Sequence, residues 1–273
     1  MAIKAIIFDC DGTIVDSSYL HAVASSYALK SVLGIDASPE ILLELTGGMD
    51  ARKGYKLITK AAQNNQHGIT VDPECSKKLA IANTFFEAFK KQADHQYLEL
   101  LEHHPLDKLL VKGFQDFFDF ITYEASRSAF YTPMLNIITS NGSTPNVKAS
   151  VGRSGYLKYF SLIICRNDVE HAKPHPEMVL RAIAYAKAQG IQPHEILYIG
   201  DTMADVLAAR DAGLKVCTVL AAHYTSDEKK AKLRDEMEAA GAHVFECYHG
   251  VMGLFRKIPQ PMRHVAVKVA PAA

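Results

Sequence analysis

The stretch Ala5-Ile6-Ile7-Phe8-Asp9-Cys10-Asp11-Gly12-Thr13 constrains the fold of this chain more than any other. Four apolar residues run into two carboxylates spaced two apart, then a glycine and a hydroxyl. A short apolar run closed by Asp and Gly reads as a buried strand reaching its carboxyl end. In open α/β sheets, ligands bind at that edge. Two acids there are costly as core residues and useful as chemistry. The competing reading is a strand followed by an ordinary Asp-Gly turn.

Further short apolar runs at 134–139, 161–165, 195–199 and 215–220 join the first, at 3–8, and alternate with helical patterns. Such alternation argues for βαβ units and a parallel sheet. Helix punctuation agrees: His175-Pro176 opens a helix that runs towards Gln189 and stops at Gly190, and another extends from near Thr202 to just before Gly213. Between Ser17 and Asp107 the texture changes to helical patterns, with Ser38-Pro39 and Asp72-Pro73 as helix starts. Leu79, Phe85, Phe86 and Phe89 recur at roughly helical spacing and read as a core stripe. The expectation is an α/β core of residues 1–16 and 108–258, a helical insertion at 17–107 standing over the first strand's carboxyl end, and a tail at 259–273.

Thirty basic residues balance thirty acidic ones, giving no electrostatic reason to expect nucleic acid or an anionic membrane surface as partner. No apolar run approaches the roughly 18 residues of a membrane span. The first strand begins almost at once, so no secretory leader is expected. Five scattered cysteines without a CxxC pair favour reduced thiols in a cytoplasmic setting over disulfides or a zinc site.

Three more sites fall at expected strand ends. Ile137-Ile138-Thr139-Ser140-Asn141-Gly142 ends in hydroxyls, an amide and a glycine before a helix start at Thr144-Pro145, a setting that suits an anion but is also ordinary capping. Lys173 lies in Ala172-Lys173-Pro174-His175-Pro176, where two prolines stiffen the backbone around one cation. Ile196-Leu197-Tyr198-Ile199-Gly200-Asp201 is another buried strand, and Asp205 follows one helical turn later. The bland reading of that last site is Asp201 or Thr202 as an N-cap. With Asp9, Asp11, Asp201 and Asp205 gathered around Lys173, the cluster carries three net negative charges if all are ionised. Like charges about 4 Å apart cost roughly 4 kcal/mol per pair at an effective dielectric of about 20. Such a cluster wants a divalent cation, and hard carboxylates favour Mg²⁺ over zinc.

In order and spacing these four sites resemble the motifs of the haloacid dehalogenase superfamily, over roughly residues 3 to 215. The helical segment resembles the inserted cap of its phosphoglycolate phosphatase and β-phosphoglucomutase branch. The resemblance implies a Rossmann-like parallel sheet with an all-helical cap, and a Mg²⁺-dependent phosphatase acting on a small phosphorylated metabolite. It implies Asp9 as nucleophile forming an aspartyl phosphate, Asp11 as acid/base with its carbonyl at the metal, and Ser140 and Lys173 on the phosphoryl oxygens, assisted by Asn141. Asp201 would ligate Mg²⁺ with Asp9, and Asp205 would do so directly or through water. Asp11 sets the chain apart from dehalogenases, which do not need a second acid there.

Phosphomutase activity is the alternative. His21, twelve residues after Asp9, is similar to a histidine position of β-phosphoglucomutase; the plainer reading is an exposed or core-edge helix residue. In Gly47-Gly48-Met49-Asp50-Ala51-Arg52, Gly47 frees the backbone and Arg52 either reads a substrate anion or is a solvated arginine on a helix turn. The aromatic stretch from Lys108 to Met134 departs from the family's short lead-in and reads as a helix against the core. The expected partner is a small phosphate ester, and the expected state a monomer or homodimer.

Overall fold

The computed structural model describes residues 3–47, 49–126, 134–220, 222 and 226–257. Its elements are β1 (Ala5–Phe8), α1 (Ser18–Leu33), β2 (Ile35–Asp36), α2 (Pro39–Thr46), α3 (Ala51–Gln63), β3 (Thr70–Val71), α4 (Ser76–Ala80) and α5 (Phe86–His103). There follow α6 (Phe114–Ser126), β4 (Leu135–Ser140), α7 (Thr144–Arg153), β5 (Leu162–Cys165), α8 (Glu177–Ala188) and β6 (Ile196–Gly200). The last are α9 (Met203–Asp211), β7 (Lys215–Val219), α10 (Asp227–Ala239), β8 (His243–Phe245) and α11 (Tyr248–Lys257).

Six strands form one parallel sheet in the order β5-β4-β1-β6-β7-β8, with β1 near its centre. All four residues of β1 are fully buried, which explains why the strand is a continuous apolar run. Side chains alternate across it. Ile6 and Phe8 join one core with α6 and α11, while Ala5 and Ile7 join a second with α8 and α9. The Phe8 ring meets Phe114 and Phe160 edge-on at centroid distances of 6.0 and 5.9 Å. The aromatic stretch after Lys108 is thus a helix against the core, as its composition suggested: Phe114, Phe117 and Phe118 are all buried.

Residues between β1 and α6 form a third core, built on Leu29, Leu42, Tyr55, Ile58, Phe86 and Phe89 among others. This insertion is helical except for the antiparallel pair β2–β3, in which Ile35 faces Val71 and Asp36 faces Thr70. Gly34, at φ +65°, ends α1 in the left-handed region and turns the chain into β2. The aromatic stripe is shared between α4, a short 3₁₀ turn and α5 rather than lying on one helix. Among the described residues no helix is long and apolar enough to cross a membrane. The expected tail at 259–273 and Gly48 lie outside the described residues.

Candidate active site

Strand register brings the four sequence sites to one edge. Phe8 pairs with Ile138 on β4 and with Ile199 on β6, so Asp9, Thr139 and Gly200 occupy the next rung. The Asp9 backbone N–H donates to the Ile199 carbonyl at 2.8 Å, holding the residue at the sheet edge. Ser140 and Asp201 follow immediately. Gly12, at φ +80°, makes the close approach of the two acidic loops possible, because a Cβ there would sit 2.3 Å from Asp201 Oδ2. Thr13 ties the loops together through its hydroxyl, 3.1 Å from Asp201 Oδ1.

Lys173 is the hub. It is only 3% exposed, and its Nζ lies 2.5 Å from Asp9 Oδ1, 2.7 Å from Asp205 Oδ1, 2.9 Å from the Thr139 carbonyl and 3.2 Å from the Tyr198 hydroxyl, four acceptors sharing its three N–H groups. Burial disfavours its ammonium, but the charges of Asp205 and Asp9 outweigh that and hold its pKa well above the ordinary lysine value. Asn141 fixes where this cation stands. Its amide donates to the Lys173 carbonyl and accepts from the Lys173 N–H, both at 3.0 Å. The Asn141 amide, expected to assist at the phosphoryl group, is therefore engaged with the lysine backbone.

The two carboxylates on Lys173 differ. Asp205 is lowered in pKa: burial works against its charge, and the Lys173 ammonium with hydrogen bonds from Lys173, Thr202 and Tyr198 overcomes it. Its Oδ2 accepts from the Thr202 N–H at 3.0 Å and the Thr202 hydroxyl at 2.6 Å, and Tyr198 donates to Oδ1 at 2.8 Å. Thr202 is also the N-cap of α9, in a capping box with Asp205, so the capping reading and the site reading hold together. Asp9 is raised well above the ordinary carboxylate range, by burial first and then by the Asp205 and Asp201 charges, against the pull of Lys173.

Asp9, Asp201 and Asp205 are all buried and offer ligand oxygens within 4.8 Å of one another. Three hard, buried acids around a single ammonium fit a divalent cation with oxygen preference. Asp205 has both oxygens engaged by protein donors, which favours contact through water over direct ligation.

Asp11 makes no hydrogen bond to Lys173 among the described residues, though it feels its charge. Ser17 and His21 both bond its Oδ1, His21 through Nε2 at 3.2 Å. Burial alone would raise the Asp11 carboxyl, but the charge and hydrogen bond of His21 and the Ser17 hydroxyl hold it below its ordinary value. The His21 ring stacks on buried Tyr97 at 3.9 Å with an interplanar angle of 1°. Of the two plain readings of His21, this geometry fits the core-edge one: the ring is half-buried against Tyr97 and stands beside Asp11.

Ser140 is 1% exposed, and its Oγ accepts from the Gly142 N–H at 2.9 Å. Beside it, at the start of α7, the Ser143 hydroxyl oxygen is buried with no partner among the described residues. A cavity of about 590 Å³ joins this edge to the helical insertion, with Asp9, Asp11 and Lys173 on one wall and Gly47, Arg52 and Tyr55 on the other. Gly47 ends α2. Arg52, proposed as a reader of anions or a solvated side chain, has its guanidinium 2.7 Å from Glu87 and 4.0 Å from the Phe86 ring centroid.

Sequence reasoning missed Tyr198, Ser17, Thr13 and Tyr97. Tyr198 sits inside an apolar strand, where nothing in the pattern marks its hydroxyl as facing the site. Ser17, the residue immediately before α1, carried a signal, being a hydroxyl close to an acid.

Parallel strands delivering an Asp-x-Asp loop, a hydroxyl, a lysine and a Gly-Asp pair to one edge define a hydrolase site of the haloacid dehalogenase type. The sequence pattern of haloacid dehalogenase-like hydrolases matches residues 6–219, and the chain belongs to that family. The chain is 27% identical over 221 residues to a phosphoglycolate phosphatase of Escherichia coli (strain K12), covering 77% of this chain and 79% of that protein. Its fold is similar to a crystal structure from Haemophilus somnus 129PT, described as a predicted phosphoglycolate phosphatase. There the TM-score is 0.65 at 21% identity, over 92% of this chain and 97% of that one. It is also similar to CbbY from Rhodobacter sphaeroides, solved with phosphate, with a TM-score of 0.61 at 22% identity over 90% and 95% of the two chains.

Proposed function

We propose that the protein is a Mg²⁺-dependent phosphatase that hydrolyses a small phosphorylated metabolite by way of an aspartyl phosphate on Asp9. The observation that carries this reading is the buried Lys173 ammonium held between Asp9 and Asp205 at the sheet edge. The family membership and the phosphatase relatives support it.

In this reading the Asp9 carboxylate forms a bond to phosphorus as the ester P–O bond breaks, and the leaving oxygen takes a proton from Asp11. In the second half, Asp11 takes a proton from water as the water oxygen attacks phosphorus and releases Asp9. Lys173, Ser140 and the α7 N-terminus with its unpartnered Ser143 hydroxyl hold the phosphoryl oxygens. Asp9, Asp201 and the Asp11 carbonyl would hold the Mg²⁺, with Asp205 behind them. The metal would supply positive charge against the phosphate and the surrounding acids. The insertion at 17–107 acts as the cap that closes over the substrate. Five cysteines, none in a disulfide, fit a reducing, cytoplasmic setting.

His21 is the positioning residue for Asp11. With His21 in place the carboxyl is held low, so the base form persists to lower pH. In His21→Gln that support is gone and the Asp11 pKa rises. Because the first half needs Asp11 with its proton, the limb of the kcat/KM profile that falls as pH rises is expected to move to higher pH; an unmoved limb removes His21 from the mechanism.

The metal and the reaction are tested on the full chain with p-nitrophenyl phosphate. Phosphate release is expected to vanish in EDTA and return with excess Mg²⁺; equal turnover in EDTA rejects the metal assignment. A sugar 1-phosphate converted to its 6-phosphate with little free phosphate would instead establish the phosphomutase alternative.

A further inference from the structure

A phosphoryl group fills a small part of a 590 Å³ cavity, so the organic part of the substrate also lies inside it. The cations on the wall decide what that part carries. Lys173, between Asp9 and Asp205, is already assigned to the phosphoryl oxygens. Arg52 stands 2.7 Å from Glu87, and Lys90 stands 2.5 Å from Asp94. An anion approaching either of these meets a carboxylate beside the cation, and the two charges largely cancel.

Arg166 is different. It lines the same cavity, yet forms no ion pair among the described residues. One Nη1 hydrogen goes to the Val169 carbonyl at 2.9 Å, and a guanidinium has five N–H donors in all. The nearest acid in sequence, Asp168, is turned away: its Oδ2 accepts the Cys165 N–H at 2.7 Å, capping the turn. The position is built as well as uncompensated. Arg166 follows Cys165, which pairs with Ser140 in the sheet register, and its own N–H donates to the Gly142 carbonyl at 3.2 Å. The residue is thereby braced against the loop that carries Ser140.

We infer that Arg166 is a second anion subsite, and that the substrate carries, besides the phosphoryl group, a carboxylate or a second phosphate that pairs with this guanidinium. The inference rests on the phosphatase reading above. Arginine suits either anion, because its planar fork matches carboxylate and phosphate alike. The uncompensated positive charge also offsets part of the acidic cluster at the sheet edge for an incoming polyanion.

The test compares three esters on the full chain with Mg²⁺: p-nitrophenyl phosphate, with one anionic group; 2-phosphoglycolate, with an added carboxylate; and a sugar bisphosphate, with an added phosphate. In the wild type at least one of the latter two is expected to exceed p-nitrophenyl phosphate in kcat/KM. In Arg166→Gln the ratio of that ester's kcat/KM to that of p-nitrophenyl phosphate should fall about 10- to 100-fold, mainly through KM, with part recovered in Arg166→Lys. The ester that loses most identifies the second anion. A ratio unchanged by Arg166→Gln, a larger fall in Arg52→Gln, or no preference for either doubly anionic ester in the wild type overturns the assignment. Absence of Mg²⁺-dependent p-nitrophenyl phosphate turnover would instead reject the phosphatase reading beneath it.

Discussion

Replacing Asp9 with Asn is expected to lower kcat by on the order of 10⁴-fold or more while leaving the fold at least as stable at neutral pH without metal. The two halves of this result have one origin. Burial and the neighbouring Asp205 and Asp201 push the Asp9 carboxyl well above its ordinary value, so keeping it ionised at neutral pH costs the folded state free energy. The amide keeps the shape and removes the charge, and with it the nucleophile. Phosphate release and thermal unfolding in EDTA measure the two halves. Mg²⁺-dependent turnover above a tenth of wild type would remove Asp9 from the covalent role.

Lys173→Met is expected to fail in the opposite way, losing both turnover and stability. Removing one partner of a buried ionic cluster leaves uncompensated charge and costs about 3–5 kcal/mol. The deficit depends on pH. In the wild type Asp205 has a lowered pKa, so its contribution is complete above the ordinary carboxylate value of about 4 and fades as pH falls through the lowered value. Without the ammonium, burial raises Asp205 instead, and the variant recovers as its carboxylates take up protons. Thermal melts from pH 7 to pH 4 should show the gap between variant and wild type narrowing as pH falls. A gap independent of pH would mean that the lysine stabilises by packing alone.

Much of this arrangement was legible in the chain because burial on both faces writes itself as apolar runs. Five of the six sheet strands announce themselves in this way, ending at Phe8, Ser140, Cys165, Gly200 and Val219. The sixth, His243–Phe245, is three residues long and begins with an exposed histidine, so it leaves no run to find. The β2–β3 pair is shorter still and is set by the turn at Gly34. Within the site, acids after strands are conspicuous, since burying them is costly. Tyr198 is invisible for the converse reason: a tyrosine in a buried strand looks like core, and only the third dimension shows its hydroxyl between Lys173 and Asp205. His21 and Arg52 depend on packing between distant helices, namely which ring His21 stacks upon and whether Glu87 meets Arg52. Helical periodicity alone does not settle such contacts. Arg166 sits in a 3₁₀ turn with no repeating pattern around it.

The sheet order has a consequence for how the chain is made. β1 leaves the ribosome well before its two hydrogen-bonding neighbours, β4 and β6, whose last residues are Ser140 and Gly200. Until synthesis has passed Gly200, the central strand has an unpaired edge, and Asp9 lacks the lysine that steadies it until residue 173 has emerged. The insertion, with its own apolar cluster drawn from residues 22–93, faces no such wait. Maturation of the nascent chain thus runs from the periphery inward: the segment over the site can consolidate early, and the catalytic edge closes only when the later strands of the sheet arrive around one made long before them.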